Sequence, residues 1–288
     1  MSIRRRAPPA PAQAAAASGH RRAERLSPSA MDYGDYLQLD TLLGAQTQAT
    51  DEHDELLFIV IHQATELWLK LSIHEIRAAQ AQIREDDLRG AFKTLSRVAR
   101  IQAHMIQAWE ILATMTPRDY ADFRASLGAS SGFQSFQYRQ LEFLLGAKDR
   151  RMLEAHEKPE RRADLETIFE APSLYDDALR LLARRGFAIP ADHLDRDWTQ
   201  PYEPSEAVEA AWLAIYRDTA AYWDLYELGE KLVDLEYRLQ QWRFTHLKTV
   251  ERIIGFKRGT GGSEGVSYLA KALDRKLFPE LLTLRTAM

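Results

Sequence analysis

The stretch WRFTHLKTVERIIGFKRGTGGS, residues 242–263, reads as an amphipathic helix that ends in a basic, glycine-rich loop. Residues four apart share a helix face, so His246 lies over Trp242 and beneath Val250, with Ile253 one turn further along. A neutral imidazole on such an aromatic and aliphatic surface suits an axial position on haem iron. The loop from Lys257 to Gly262 suits a bound carboxylate or phosphate, because glycines free backbone N–H groups to point at an anion. A helical histidine is also commonly a core residue bonded to a carbonyl, and such a loop is equally an ordinary helix cap and linker. The residues of this segment leave both readings open.

Working outward, the chain reads as helix after helix. Strand-like alternation is nearly absent, and β-branched residues cluster only at Ile59, Val60 and Ile61. The spacing predicts a short helix over 33–44, a long one from a cap at Asp51 or Asp54 to about residue 84, and a second long one over 87–115. The run Leu56 to Ile61 is apolar on every side and is expected deep in the core. Thr116, Pro117 and Asp119 supply an N-cap, a first-turn proline and a first-turn acid. The helix they start carries Tyr120 and Arg124 and stops at Gly128. A helix over 136–145 follows the loop GASSG at 128–132. Residues 147–165 are charge-rich and read as an exposed connection. Smaller helices are expected near 164–170 and 173–185, a proline-marked loop over 189–204, and continuous helix over 205–256 with a weak point at Gly229. Two short helices near 263–274 and 278–286 complete the pattern. Residues 31–288 read as one all-α domain behind a disordered basic tail over 1–30.

Composition narrows the chemistry. The 288 residues are 45% hydrophobic and 28% charged, a globular balance. The formal charge is −4, but the first 30 residues carry +5, so the remaining 258 carry −9. An acidic body argues against nucleic acid as the main partner. There is no cysteine, which removes disulfides, thiolate-ligated haem, iron–sulfur clusters and cysteine nucleophiles together. No unbroken run of about 18 apolar residues exists, so no membrane span is expected.

Two further positions compete with bland alternatives. His62 lies over Phe58 and beside Ile59, Thr65 and Glu66 on one helix, an apolar setting like that of His246. Tyr120 and Arg124 form an i,i+4 pair in which the guanidinium fork suits a carboxylate; a surface ion pair with Asp119 or Asp122 accounts for it equally well. No H-x-x-x-H or Glu-x-x-His pattern marks a non-haem metal site. Gly259, Gly261, Gly262 and Gly265 follow a helix rather than a strand, so they do not form a dinucleotide fingerprint. The aromatic group Tyr216, Tyr222, Trp223 and Tyr226 reads as core or subunit packing.

Together these pieces resemble the bacterial-type tryptophan 2,3-dioxygenases. The stretches that carry the resemblance are YGDYLQLDTLL (33–43), HDELLFIVIHQATELWLKL (53–71), SSGFQSFQYRQLEFLLG (130–146), EAPSLYDDALRLLARRGFAIP (170–190) and WRFTHLKTVERIIGFKRGTGG (242–262). They occur in the family's order across almost all of 31–288; residues 1–30 have no counterpart and 147–165 match weakly.

The resemblance implies an all-α helical-bundle haem-dioxygenase fold, assembled as a cytoplasmic homotetramer with one haem b per subunit. It implies His246 as the iron ligand and His62 as a distal group that contacts the substrate indole N–H without binding iron. Phe58 would wall the indole pocket, and Tyr33, Tyr36 and Leu37 would complete the pocket of a neighbouring subunit. Arg124 would clamp the tryptophan carboxylate with Tyr120 beside it, and Thr260 would hold the amino-acid head group together with a haem propionate. Trp109, Ser131, Gly132, Tyr138, Arg139, Val250, Ile253 and Gly259 would line the haem. The implied reaction joins L-tryptophan and O2 into N-formyl-L-kynurenine, with no nucleic-acid or membrane partner. A haem-binding sensor or carrier on the same scaffold is the rival reading, and Arg124 and Thr260 speak against it, since a carrier needs no carboxylate clamp.

Overall fold

The computed structural model describes residues 32–154, 156, 158–260 and 264–288. The expected basic tail and the loop glycines Gly261 and Gly262 lie outside the described residues. Residues 32–47 and 48–288 form separate compact units and are taken in turn.

The first unit holds α1 (Tyr33–Leu37) and α2 (Leu39–Leu43). The single short helix expected here is broken at Gln38, which takes a left-handed conformation at φ 52°. Asp32 caps α1 through the Asp35 N–H, and neither helix buries a residue.

The second unit is all-α among the described residues. It runs through α3 (His53–Arg84), α4 (Leu88–Leu112), α5 (Pro117–Arg124), α6 (Phe136–Leu144), α7 (Arg151–Glu154), α8 (Pro159–Phe169) and α9 (Leu174–Arg184). It continues through α10 (Ala191–Leu194), α11 (Glu206–Arg217), α12 (Trp223–Ile253), α13 (Val266–Leu273) and α14 (Pro279–Thr283). Helices α3, α4 and α12 form the frame: α4 packs along both of the others, while α6 and α9 pack on α3 and α13 on α12. Ile73, Ile76 and Ile83 of α3, Leu95 and Val98 of α4, and Leu228, Leu232 and Leu235 of α12 are buried in that frame.

Four local expectations change. Neither Asp51 nor Asp54 caps α3, whose N-cap Glu52 makes no side-chain bond. Instead Glu55 accepts from Ala49 N, Thr50 N and Thr50 Oγ1 at 2.8, 2.8 and 2.6 Å and folds the incoming chain onto the helix. The Leu56–Ile61 run is not uniformly deep: Ile61 is buried, but Leu56 and Val60 are 43% and 44% exposed. With Leu67 they form a stripe that α4, α6 and α9 leave uncovered, so α3 is apolar on more sides than the bundle uses. By length and composition α3 is also apolar enough to cross a membrane, with an 18-residue window of mean hydropathy 1.4. Glu66 and Lys70 interrupt that window, in which Ile61, Leu69 and Ile73 are core residues and most of the rest are not buried.

The charge-rich 147–165 connection is pinned inward. Lys148 is buried, and its ammonium donates to the carbonyls of Ile168, Phe169 and Ala171 at 2.7, 3.0 and 2.9 Å, closing the C-terminal end of α8. Met152, Leu153, His156 and Leu165 are buried. The helix expected over 205–256 breaks after Arg217, not at Gly229. Gly229 lies within α12, where a Cβ would sit 2.9 Å from Tyr216 Oη. Its lack of a side chain is what lets α11 and α12 close together there. In contrast, Thr116 forms the expected capping box with Asp119, and Gly128 ends the turn after α5 at φ 56°.

Candidate functional site

The frame helices, α5, α6 and α13 enclose a cavity of about 500 Å³, within the roughly 300–1,000 Å³ range of small-molecule and cofactor sites. From α3 come Phe58, His62 and Glu66; from α4, Trp109; from α5, Tyr120 and Arg124. The 130–135 turn and α6 add Ser131, Gly132, Tyr138, Arg139 and Glu142. From α12 come Trp242, Arg243, His246, Val250 and Ile253, and the loop after it brings Gly259 and Thr260. Every expected site residue of this unit therefore reaches one cavity. Tyr33, Tyr36 and Leu37 lie on α1 and are exposed.

The two histidines are prepared differently. His62 Nδ1 lies 2.7 Å from the Phe58 carbonyl one turn back. A carbonyl only accepts, so Nδ1 carries the proton and Nε2 of the neutral ring is left as an acceptor. Burial lowers the His62 pKa below its ordinary value, against the Phe58 bond and the nearby Glu66 carboxylate, which raise it. The Phe58 ring leans on the imidazole at 4.1 Å.

His246 stacks against Trp109, with centroids 4.5 Å apart and planes 9° apart, and touches Trp242 at 5.4 Å. Burial, with a smaller contribution from His62, pushes its pKa down to about 4. It is neutral at physiological pH and has a lone pair for a metal. Trp109 also meets His62 edge-on at 6.5 Å, so one indole contacts both imidazoles. Among the described residues no three His, Asp or Glu side chains gather as a metal site.

At one end of the cavity three segments converge. Arg124 Nη2 donates to the Arg258 carbonyl at 2.8 Å, while its Nε is buried without a partner. Thr260 Oγ1 donates to the Ser130 carbonyl. The competing surface ion pairs for Arg124 do not form: Asp119 caps α5 and Asp122 pairs with Arg118 at 3.1 Å. Burial raises the Tyr120 phenol above its ordinary value and Arg124 draws it back. Ser131 caps a short turn by accepting from Phe133 N at 3.3 Å, and a Cβ on the neighbouring Gly132 would meet nothing within 4 Å.

Several wall residues escape sequence reasoning. Glu66 is held by Ser135 Oγ at 2.6 Å and Gln137 Nε2 at 2.9 Å. Glu142 and Arg243 pair at 2.9 Å although 101 residues separate them, and α13 contributes Tyr268, Leu269 and Ala272. Their sequence traces are helical spacings alone, His62–Glu66 at i to i+4 and Arg139–Glu142 at i to i+3.

The fold and cavity define a class: among the described residues, an all-α protein that encloses an aromatic-walled ligand space lined by two neutral imidazoles, a guanidinium and a hydroxyl. The comparisons make the class specific. The tryptophan 2,3-dioxygenase family profile matches residues 15–170 and 155–288. The tryptophan 2,3-dioxygenase of Cupriavidus necator is 60% identical over 257 residues, covering 89% of this chain and 87% of the relative. That of Bacillus thuringiensis is 58% identical over 259 residues, covering 90% and 93%. That of Burkholderia pseudomallei is 56% identical over 274 residues, covering 95% and 90%. The chain belongs to the tryptophan 2,3-dioxygenase family.

Proposed function

We propose that this chain is a haem-dependent dioxygenase that inserts both atoms of O2 across the indole C2–C3 bond of L-tryptophan, giving N-formyl-L-kynurenine. The observation that carries the reading is the meeting, in one cavity, of a His62 ring with a free Nε2 acceptor and an Arg124–Thr260 end rich in donors. A tryptophan zwitterion needs both: an acceptor for its indole N–H and a cation for its carboxylate. A haem sensor or carrier needs neither.

The residues fit haem. His246 offers one neutral imidazole, and the buried indole N–H groups of Trp109 and Trp242 and the Nε of Arg139 have no partner among the described residues. His246 would hold the iron, and Trp109, Ser131, Gly132, Tyr138, Arg139, Val250, Ile253 and Gly259 would line the porphyrin. When bound, haem supplies the redox iron at which O2 is activated. Around it, His62 Nε2 accepts the indole N–H and orients the ring, while Phe58 supplies the apolar wall. Arg124 gives its unpartnered Nε to the substrate carboxylate, and the Thr260 hydroxyl exchanges the Ser130 carbonyl for the head group. Pairing a buried guanidinium with a carboxylate discriminates against indoles that lack one, because the charge would be left unpaired.

We also propose a cytoplasmic homotetramer carrying one haem b per subunit, in which Tyr33, Tyr36 and Leu37 complete a neighbouring subunit's pocket. Their support is the exposure of Tyr33 and Tyr36, 75% and 73%, on helices that bury no residue. Light scattering of the haem-loaded protein tests the assembly, and a monomer would refute it. The activity test is anaerobic reduction followed by L-tryptophan and O2, with formylkynurenine absorbance as the readout. Absence of product from reduced, haem-loaded protein would overturn the assignment.

A further inference from the structure

Two carboxylates line the cavity among the described residues, and they are partnered differently. Glu142 is shared by two guanidiniums, those of Arg139 and Arg243. Glu66, half-buried one helical turn beyond His62 on α3, is held by neutral groups. Ser135 Oγ donates to its Oε1 at 2.6 Å, and Gln137 Nε2 donates to its Oε2 at 2.9 Å. Gln137 Nε2 also donates to the Glu66 carbonyl at 2.7 Å, so both N–H groups of one amide end on Glu66.

Both donors stand where the 130–135 turn enters α6. Ser135 is the N-cap of that helix and accepts from Tyr138 N at 3.1 Å. A hydroxyl has one proton, and an ionised carboxylate only accepts. Glu66 therefore takes the Ser135 proton and leaves the oxygen's lone pairs for the helix N–H. Its charge also lies at the positive end of the nine-residue α6, where it is favourable. Back along the turn, Ser135 N donates to the Gly132 carbonyl at 3.1 Å and Gln134 N to the Ser131 carbonyl at 2.9 Å. Ser130, which opens the turn, gives its carbonyl to the Thr260 hydroxyl. Residues 128–130 are exposed, so burial does little to hold them. In contrast, α3 is anchored on either side of Glu66 by the buried Ile61, Leu69 and Ile73. A fixed helix thus holds a light turn through Glu66, and not the reverse.

We infer that Glu66 is a positioning residue for the amino-acid end of the substrate: through Ser135 and Gln137 it ties the 130–135 turn to α3, and so sets the Ser130 carbonyl on which Thr260 rests. The role rests on the assignment of Thr260 to the substrate head group. Both carboxylate oxygens of Glu66 are taken by the turn and α6. Its effect reaches the ligand through Thr260, not through its helix neighbour His62.

Equilibrium titration of the haem-loaded protein with L-tryptophan, followed in the Soret band, tests the role alongside steady-state kinetics. Glu66→Ala should weaken L-tryptophan binding and raise KM about tenfold, the worth of one hydrogen bond to a charged group, while kcat and Soret intensity hold. Ser135→Ala should do the same. Glu66→Gln keeps an acceptor for Ser135 but turns an amide N–H toward Gln137, and should fall between wild type and Glu66→Ala. Double variants locate the path. In a Thr260→Ala background Glu66→Ala should cost no further affinity; in a His62→Ala background it should cost its full effect. Additivity with Thr260 would make Glu66 merely structural, and non-additivity with His62 would route it through the distal imidazole; either result overturns the inference. Wild-type affinity in Glu66→Ala protein overturns it alone, whereas unchanged affinity in Thr260→Ala protein overturns the Thr260 assignment beneath it. Circular dichroism checks folding; if Glu66→Ala does not fold, Glu66→Gln and Ser135→Ala carry the same cycles.

Discussion

Two arginines on the cavity wall, Arg139 and Arg124, are held in opposite ways. Arg139 projects from a helix, is 3% exposed and pairs with a carboxylate that is itself shared. Arg124 stands in the last turn of an eight-residue helix, is half-buried, and is bonded to the Arg258 carbonyl of a loop. Thr260, two residues beyond Arg258, is bonded to another loop carbonyl. Neutral backbone carbonyls are weaker partners for a guanidinium than a carboxylate, so the bonds at the Arg124 end exchange readily for a ligand's. Glu142 cannot be displaced from Arg139 and Arg243 without stranding two buried cations. The bonds of Arg124 can yield to an exchanging ligand, whereas those of Arg139 hold it fixed.

The largest effect should come from neither arginine: His246→Ala removes the imidazole proposed to hold the iron, and the purified protein should lose its Soret band; retention at wild-type intensity would place the iron elsewhere. Next, Glu142→Ala should destabilise the fold by about 3–5 kcal/mol, the cost of breaking a buried pair, read by urea unfolding. A change below about 1 kcal/mol would mean that the cluster is wetter than its burial suggests. Arg124→Ala should keep haem and stability while raising KM for L-tryptophan about 100-fold. Normal tryptophan affinity there would erase the distinction between the two arginines.

The remaining effects are smaller. Burial lowers the His62 pKa, so the neutral ring, the proposed acceptor of the indole N–H, persists as pH falls through the ordinary histidine value of about 6.5. KM should stay flat through that value and rise only further toward acid; a rise beginning at or above it would show that His62 is not the acceptor. Thr116→Ala should cost about 1 kcal/mol through loss of the α5 cap, with a modest rise in KM because that helix carries Arg124.

Much of the site was legible because helical spacing is local. The faces Phe58–His62, Tyr120–Arg124 and Trp242–His246–Val250 follow from 3.6 residues per turn, and each reaches the cavity. The capping box at Thr116 and the turn at Gly128 were visible for the same reason. What failed depended on neighbours from other helices. Leu56 and Val60 look like core until α4, α6 and α9 choose other sides of α3. Gly229 looks like a break until Tyr216 fills the space beside it. Lys148 looks solvated until three carbonyls of a distant helix end surround it.

By itself, then, the sequence determined an all-α chain, the absence of thiol chemistry, and which side chains share a helix face. Only tertiary structure decided which faces meet: Glu142 with Arg243, Arg124 with Arg258, and Thr260 with Ser130, partners 101, 134 and 130 residues apart. The physical reason is that helix periodicity is set by the backbone over a few residues. The placement of a buried charge is set by whichever distant group can satisfy it, and that group leaves no periodic trace in the chain.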